Sequence, residues 1–174
     1  MKNWITTLEF NHRLLSRDVY SYTLPTYNCD ISGNPIDKDK ATTSVTEDRY
    51  SENYVSADLH STYSFEPADG HSVMLLAGAQ FEDLLQKQNG VTAYGLISDA
   101  LPEIDLTTGL VWDSGSKSWV RKDLSPYGSR NSWATAGLFG RVNYDYKGRY
   151  LAEANIRYDG TSRYRGALRW NLYP

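Results

Sequence analysis

Two runs near the C-terminal end alternate apolar and polar side chains on either side of Asp145-Tyr146-Lys147-Gly148, and this constrains the fold more than any other feature. Ala134, Ala136, Leu138, Val142, Tyr144 and Tyr146 share one parity, with Thr135, Arg141, Asn143 and Asp145 on the other. The second run repeats the pattern, with Tyr150, Ala152, Ala154, Ile156 and Tyr158 against Glu153, Asn155, Arg157 and Asp159. A period of two means β-strand, because successive side chains leave opposite sides of the pleat. The apolar parity ends in tyrosines at the turn. A transmembrane barrel strand is built this way: apolar toward lipid, polar toward a lumen, aromatic at the water boundary.

Three upstream segments alternate in the same manner: Trp4 to Leu14, Tyr54 to Phe65 and Ser72 to Glu82. The predicted fold is therefore all-β, an antiparallel meander of about five long strands and a segment of a large transmembrane barrel. Its connections alternate in length. Glu66–His71 and Asp145–Gly148 are short, whereas Ser16–Asn53 and Asp83–Asn131 are long. Bacterial barrels have short periplasmic turns and long extracellular loops, so the long stretches and the segment after Tyr158 are expected outside the cell. In a β-sandwich, turns would recur every 8–12 residues or so, and structureless loops beyond about 15 residues are uncommon. Within the first long stretch, Val19 to Tyr27 extends or restarts a strand, and Asp30–Pro35 reads as a turn. Within the second, Asp83–Gln88 is expected to form a helical turn or two, stopped by Asn89-Gly90. Val111-Trp112 and Ser118-Trp119-Val120 are expected to pair as a small hairpin.

Tyrosine (14) and tryptophan (5) outnumber phenylalanine (4), a balance that suits binding surfaces and membrane boundaries. A mean hydropathy of −0.56 looks soluble, as it does for barrels, where half of each strand and all loops are polar. No run of about 18 apolar residues exists to form a transmembrane helix. A net charge of −3 gives no broad basic surface for nucleic acid. Met1 leads directly into a strand without a signal peptide, so a membrane reading makes this an internal piece of a larger exported protein. The single Cys29 reads as a spare thiol, and His12, His60 and His71 have no metal-ligand spacing. Asp58 and Glu82 are not brought to a glycosidase separation, and no nucleophile elbow or phosphate loop occurs. No catalytic residue, metal or cofactor is expected.

Residues Gly140-Arg141-Val142-Asn143-Tyr144, Lys147-Gly148-Arg149-Tyr150-Leu151, Arg157-Tyr158-Asp159-Gly160-Thr161-Ser162-Arg163-Tyr164 and Arg169-Trp170 together resemble the SusC/RagA family, TonB-linked outer-membrane receptors of Bacteroidetes. The resemblance covers about the last quarter of the chain, and Thr161 and Tyr164 depart mildly from the family's usual serine and phenylalanine. It implies a barrel of about 22 strands around a plug. Residues 1–174 would then be a partial barrel, with the plug and the remaining strands absent. The implied activity is import of a glycan or peptide across the outer membrane, with TonB supplying energy and a SusD-like lipoprotein capturing ligand. Two sets of residues are candidates to face substrate. Arg141, Asn143, Glu153, Asn155 and Arg157 form a polar set on adjacent strands, which either line the wall as salt bridges or touch ligand. Trp112 and Trp119, with Tyr94 and Tyr127, either stack on a sugar or peptide or pack the loop against a partner. A second functional class stays open: a soluble extracellular β-domain that binds carbohydrate through exposed aromatics. Asp159–Arg163 reads as a turn in which Gly160 supplies a positive φ.

Overall fold

The computed structural model describes residues 3–26, 28–36 and 42–174, and of Ala167 the backbone alone. Met1, Tyr27 and part of the Ser16–Asn53 stretch lie outside the described residues. A six-stranded sheet runs in the order β1-β4-β5-β8-β9-β10, formed by β1 (Asn3–Thr23), β4 (Ser44–Ala68), β5 (His71–Tyr94), β8 (Ser125–Tyr146), β9 (Tyr150–Thr161) and β10 (Trp170–Tyr173). Two small hairpins complete it: β2 (Asn28–Cys29) with β3 (Pro35–Ile36), and β6 (Leu110–Asp113) with β7 (Ser118–Arg121). The expected all-β antiparallel meander is therefore what forms.

Several strands are much longer than the alternation suggested. β5 continues through Asp83–Gln88 and Asn89-Gly90 to Tyr94, which overturns the expected helical turn. Six residues cannot sustain a helix against a neighbouring ladder that already satisfies their backbone groups. Pairing likewise carries β4 back to Ser44 and β8 back to Ser125, so both long loops are shorter than read from sequence. Gly160 also differs from expectation. It lies inside β9 paired with Trp170, and it is not among the positive-φ glycines. Its missing side chain serves packing instead, since a Cβ there would stand 2.6 Å from the Trp170 ring.

The described residues divide into two compact units. The first comprises Met1–Leu14, Glu52–Gln86 and Asn131–Pro174. Here β8 and β9 pair in unbroken register from Thr135↔Thr161 to Tyr146↔Tyr150, with Val142 opposite Ala154 and Asn143 opposite Glu153. Lys147 (φ 54) and Gly148 (φ 65) make the tight turn, and the Gly148 amide donates to the Asp145 carboxylate at 2.7 Å. The Lys147 amide donates to the Gly70 carbonyl (2.8 Å), which joins this turn to the one between β4 and β5.

The second unit comprises Leu15–Ser51 and Lys87–Arg130. Val45 and Ala93 are fully buried in it, and Thr46 and Thr92 share a hydrogen bond between their hydroxyls (2.8 Å). Buried Thr43 accepts the Leu96 amide at 2.7 Å. In the β2–β3 turn the Asp30 carboxylate accepts the amides of Ser32 and Asn34 (both 2.8 Å), and Gly33 takes φ 82. The Asn34 side-chain amide is the strongest of the donors that hold the Asp30 carboxyl below its usual range.

Candidate functional site

The register of the first unit sorts side chains onto two faces, and the faces differ chemically. On one, Leu138, Val142, Ala154, Ile156 and Tyr158 alternate with the pleat, and Leu8, Phe10, Leu59, Leu75 and Phe81 are exposed apolar side chains of the neighbouring strands. Leu138 is 59% exposed, Ile156 55% and Phe10 65%, although all three sit well inside long strands. Between Leu59, Phe81, Leu138 and Trp170 runs an apolar groove of about 430 Å³, floored by Ala57, Ala79 and Ala136. Aromatic rings gather at the turn end. His71 Nδ1 and the Tyr144 hydroxyl share a 2.7 Å hydrogen bond, and the His71 ring lies 4.6 Å from that of Tyr146. Trp4 meets Tyr63 edge-on at 6.0 Å, and Tyr63 stacks on Phe65 at 5.3 Å.

The opposite face is polar and cross-linked. Arg141 Nε donates to Asn155 Oδ1 (2.7 Å), Asn155 donates to Glu153 (2.8 Å), and Glu153 lies 3.9 Å from Arg141. Arg157 is paired with Asp159 at 2.6 Å. The five polar candidates thus lie on one face, as their parity required. Asn143 is the exception to the bonding. Among the described residues its buried Oδ1 has no hydrogen-bond partner, and it borders a cavity of about 420 Å³ shared with Ser72, Asp145 and Glu153. A ladder also crosses four strands of this unit. Arg13 donates to Glu52 (2.5 Å), Gln86 donates to the other Glu52 oxygen (2.9 Å), and Asn131 donates to Gln86 (3.0 Å). The sequence reading missed this ladder because it assigned Gln86 and Asn131 to a loop. The apolar Leu84, on the parity of Glu82 and Gln86, breaks the alternation before Gln86 and hides it.

Trp112 and Trp119 belong to the second unit. They are opposite each other in the β6–β7 hairpin and meet edge-on at 5.7 Å and 75°. The Asp113 carboxylate closes that hairpin. It accepts the Ser116 hydroxyl (2.6 Å) and the amides of Ser116 (3.1 Å) and Gly115 (3.2 Å), with the hydroxyl foremost in holding its carboxyl below the usual range. Tyr94, in the same unit, carries the Lys122 ammonium 3.9 Å above its ring. Among the described residues no cluster of three or more His, Cys, Asp or Glu could hold a metal ion.

No protein-family model matches the chain. A TonB-dependent receptor of Formosa agariphila is 27% identical over 112 residues, covering 64% of this chain and 10% of that protein. The TonB-dependent receptor SusC of Bacteroides thetaiotaomicron is 33% identical over 69 residues, covering 38% of this chain and 7% of SusC. Among solved structures, the RagAB peptide transporter superposes with a TM-score of 0.77 at 18% identity, covering 97% of this chain and 17% of that one. The chain spans about a tenth of the length of the curated relatives it matches. Its resemblance to the SusC/RagA receptors holds in sequence and in fold. The curated relatives are named as TonB-dependent receptors, and the solved structure as a peptide transporter.

Proposed function

We propose, from the premise that this chain is a stretch of outer-membrane barrel of the TonB-dependent receptor kind, that the protein imports a nutrient, a peptide or a glycan, through its lumen. The single observation that carries this is the two-faced sheet. An apolar face with Leu8, Phe10, Leu138, Val142 and Ile156 open has no use in water but is the face a bilayer requires. The opposite face, bonded through Arg13, Glu52, Arg141, Asn155 and Arg157, suits a water-filled lumen, where polar groups satisfy one another or a ligand. In this reading Arg141, Asn143, Glu153, Asn155 and Arg157 line the import path. Trp112 and Trp119 lie outside the cell, where a SusD-like lipoprotein would hand over ligand. TonB would act through a region beyond this stretch. A soluble carbohydrate-binding domain leaves the open apolar face without a purpose.

Single cysteines in the intact receptor test the assignment. At Val142 or Ala154 a cysteine should react with a lipid-dissolved maleimide and resist a water-soluble one, and at Asn143 or Glu153 the order should reverse. Equal reactivity at Val142 and Asn143 would remove the basis for the barrel reading. Uptake that survives loss of TonB would remove the energised-import part.

A further inference from the structure

We infer that the polar face of the first unit carries a subsite for a cationic group, a protonated amine or guanidinium of the imported ligand. The inference rests on the import reading and names the ligand chemistry that reading leaves open. A cavity of about 340 Å³ opens on this face between Gln80, Glu82, Gly137, Arg157, Asp159 and Tyr164. That volume lies within the range of small-ligand pockets, roughly 300–1,000 Å³.

The charges in the cavity are not balanced. Arg157 is committed: its Nε donates to both Asp159 oxygens (2.8 and 2.6 Å) and its Nη2 donates to Gln80 Oε1 (2.9 Å). To reach Gln80 on β5 from β9, the guanidinium passes over β8. It does so at Gly137, where a Cβ would collide with the Asp159 carboxylate and stand 3.4 Å from Arg157 Nη2. Arg157 and Asp159 therefore neutralise each other along one wall. Glu82 is left over. Among the described residues it bonds to the Thr135 hydroxyl alone, at 3.4 Å, and it enters no ion pair. A half-buried carboxylate held by one long neutral hydrogen bond keeps most of its capacity for a charged donor. Tyr164 and Tyr173 add aromatic rings to the lining, which also favour a cation. Neutral sugars offer Glu82 hydroxyl donors only. A peptide offers an N-terminal ammonium or a Lys or Arg side chain, each of which compensates the charge.

The intact receptor, incubated with a randomised hexapeptide mixture and analysed by mass spectrometry of the retained peptides, tests this. Wild type should enrich peptides containing Lys or Arg. Glu82→Gln should lose that preference by about tenfold, the worth of one charge-assisted hydrogen bond, and Glu82→Asp should retain it. Retention of peptides without bias toward Lys or Arg would overturn the subsite and leave import intact. Retention of no peptide would overturn the subsite together with the peptide branch of the import reading. If Glu82→Gln lowers the melting temperature while retention is unchanged, the cation comes from the protein's own lumen, and the ligand assignment is wrong.

Discussion

At the scale of single residues, parity decides what each position tolerates. Val142 and Asn143 are adjacent in β8 yet occupy opposite faces. In the intact barrel, Val142→Arg or Ala154→Arg should cost about 2–4 kcal/mol if the position is near the bilayer midplane, whereas Asn143→Arg should be far milder. Reversible unfolding in lipid measures the difference, and similar costs at Val142 and Asn143 would count against a lipid-facing side. Gly160 makes a second case. A Cβ would sit 2.6 Å from Trp170, whose ring stacks on Tyr158 at 5.0 Å. Gly160→Val should therefore displace Trp170 and cost about 1–3 kcal/mol by overpacking. Unchanged Trp170 fluorescence in that variant would contradict this. The apolar face of Leu138 and Val142 and the opposite, polar face of Arg141 were legible from alternation alone. The role of Gly160 was not, because a glycine in a sequence signals freedom of φ more readily than the approach of a ring from another strand.

At the scale of elements, strand existence was legible and strand length was not. Asp83-Leu84-Leu85-Gln86 keeps no clean alternation, since Leu84 is buried on the otherwise polar side, and only pairing with neighbours extends β5 to Tyr94. Tertiary pairing overrode a weak local signal. The β6–β7 hairpin was legible because its turn chemistry is local: Asp113 caps Gly115 and Ser116, and Lys117 takes φ 51. The same cap makes the hairpin acid-sensitive. The Asp113 carboxyl titrates below its ordinary value of 3.8 in the folded turn. Its stabilisation is thus whole above that value and is lost as pH falls through the lower folded one. The circular-dichroism signal of the coupled Trp112–Trp119 pair should weaken as acid protonates the Asp113 carboxyl, and Asp113→Asn should remove that dependence. An acid titration of the signal that is the same in wild type and Asp113→Asn would refute the cap.

At the scale of the whole molecule, a sheet with an open apolar face and open edges seeks cover. Residues 1–174 alone, without detergent, should self-associate, driven by roughly 25 cal/mol for each Å² of apolar surface removed from water. Sedimentation at low concentration checks this. A stable monomer with Leu138, Val142 and Ile156 open to solvent would show that the face does not need a membrane. The barrel as a whole depends on how far each strand is offset from the next, because the summed offset sets the tilt and so the bore. Here the Gly137 gap acquires a different meaning. Arg157 spans β8 where the residue beneath it is a glycine, flanked two places away by Thr135 and Phe139 on the same face. A two-residue slip of β8 would set one of those bulkier side chains in the arginine's way and break its bond to Gln80. One missing methyl thus works as an index notch, giving a mis-set strand a penalty that its backbone hydrogen bonds alone would not impose. The offset of β8 against its neighbours is kept, at this seam, by a side chain that is not there.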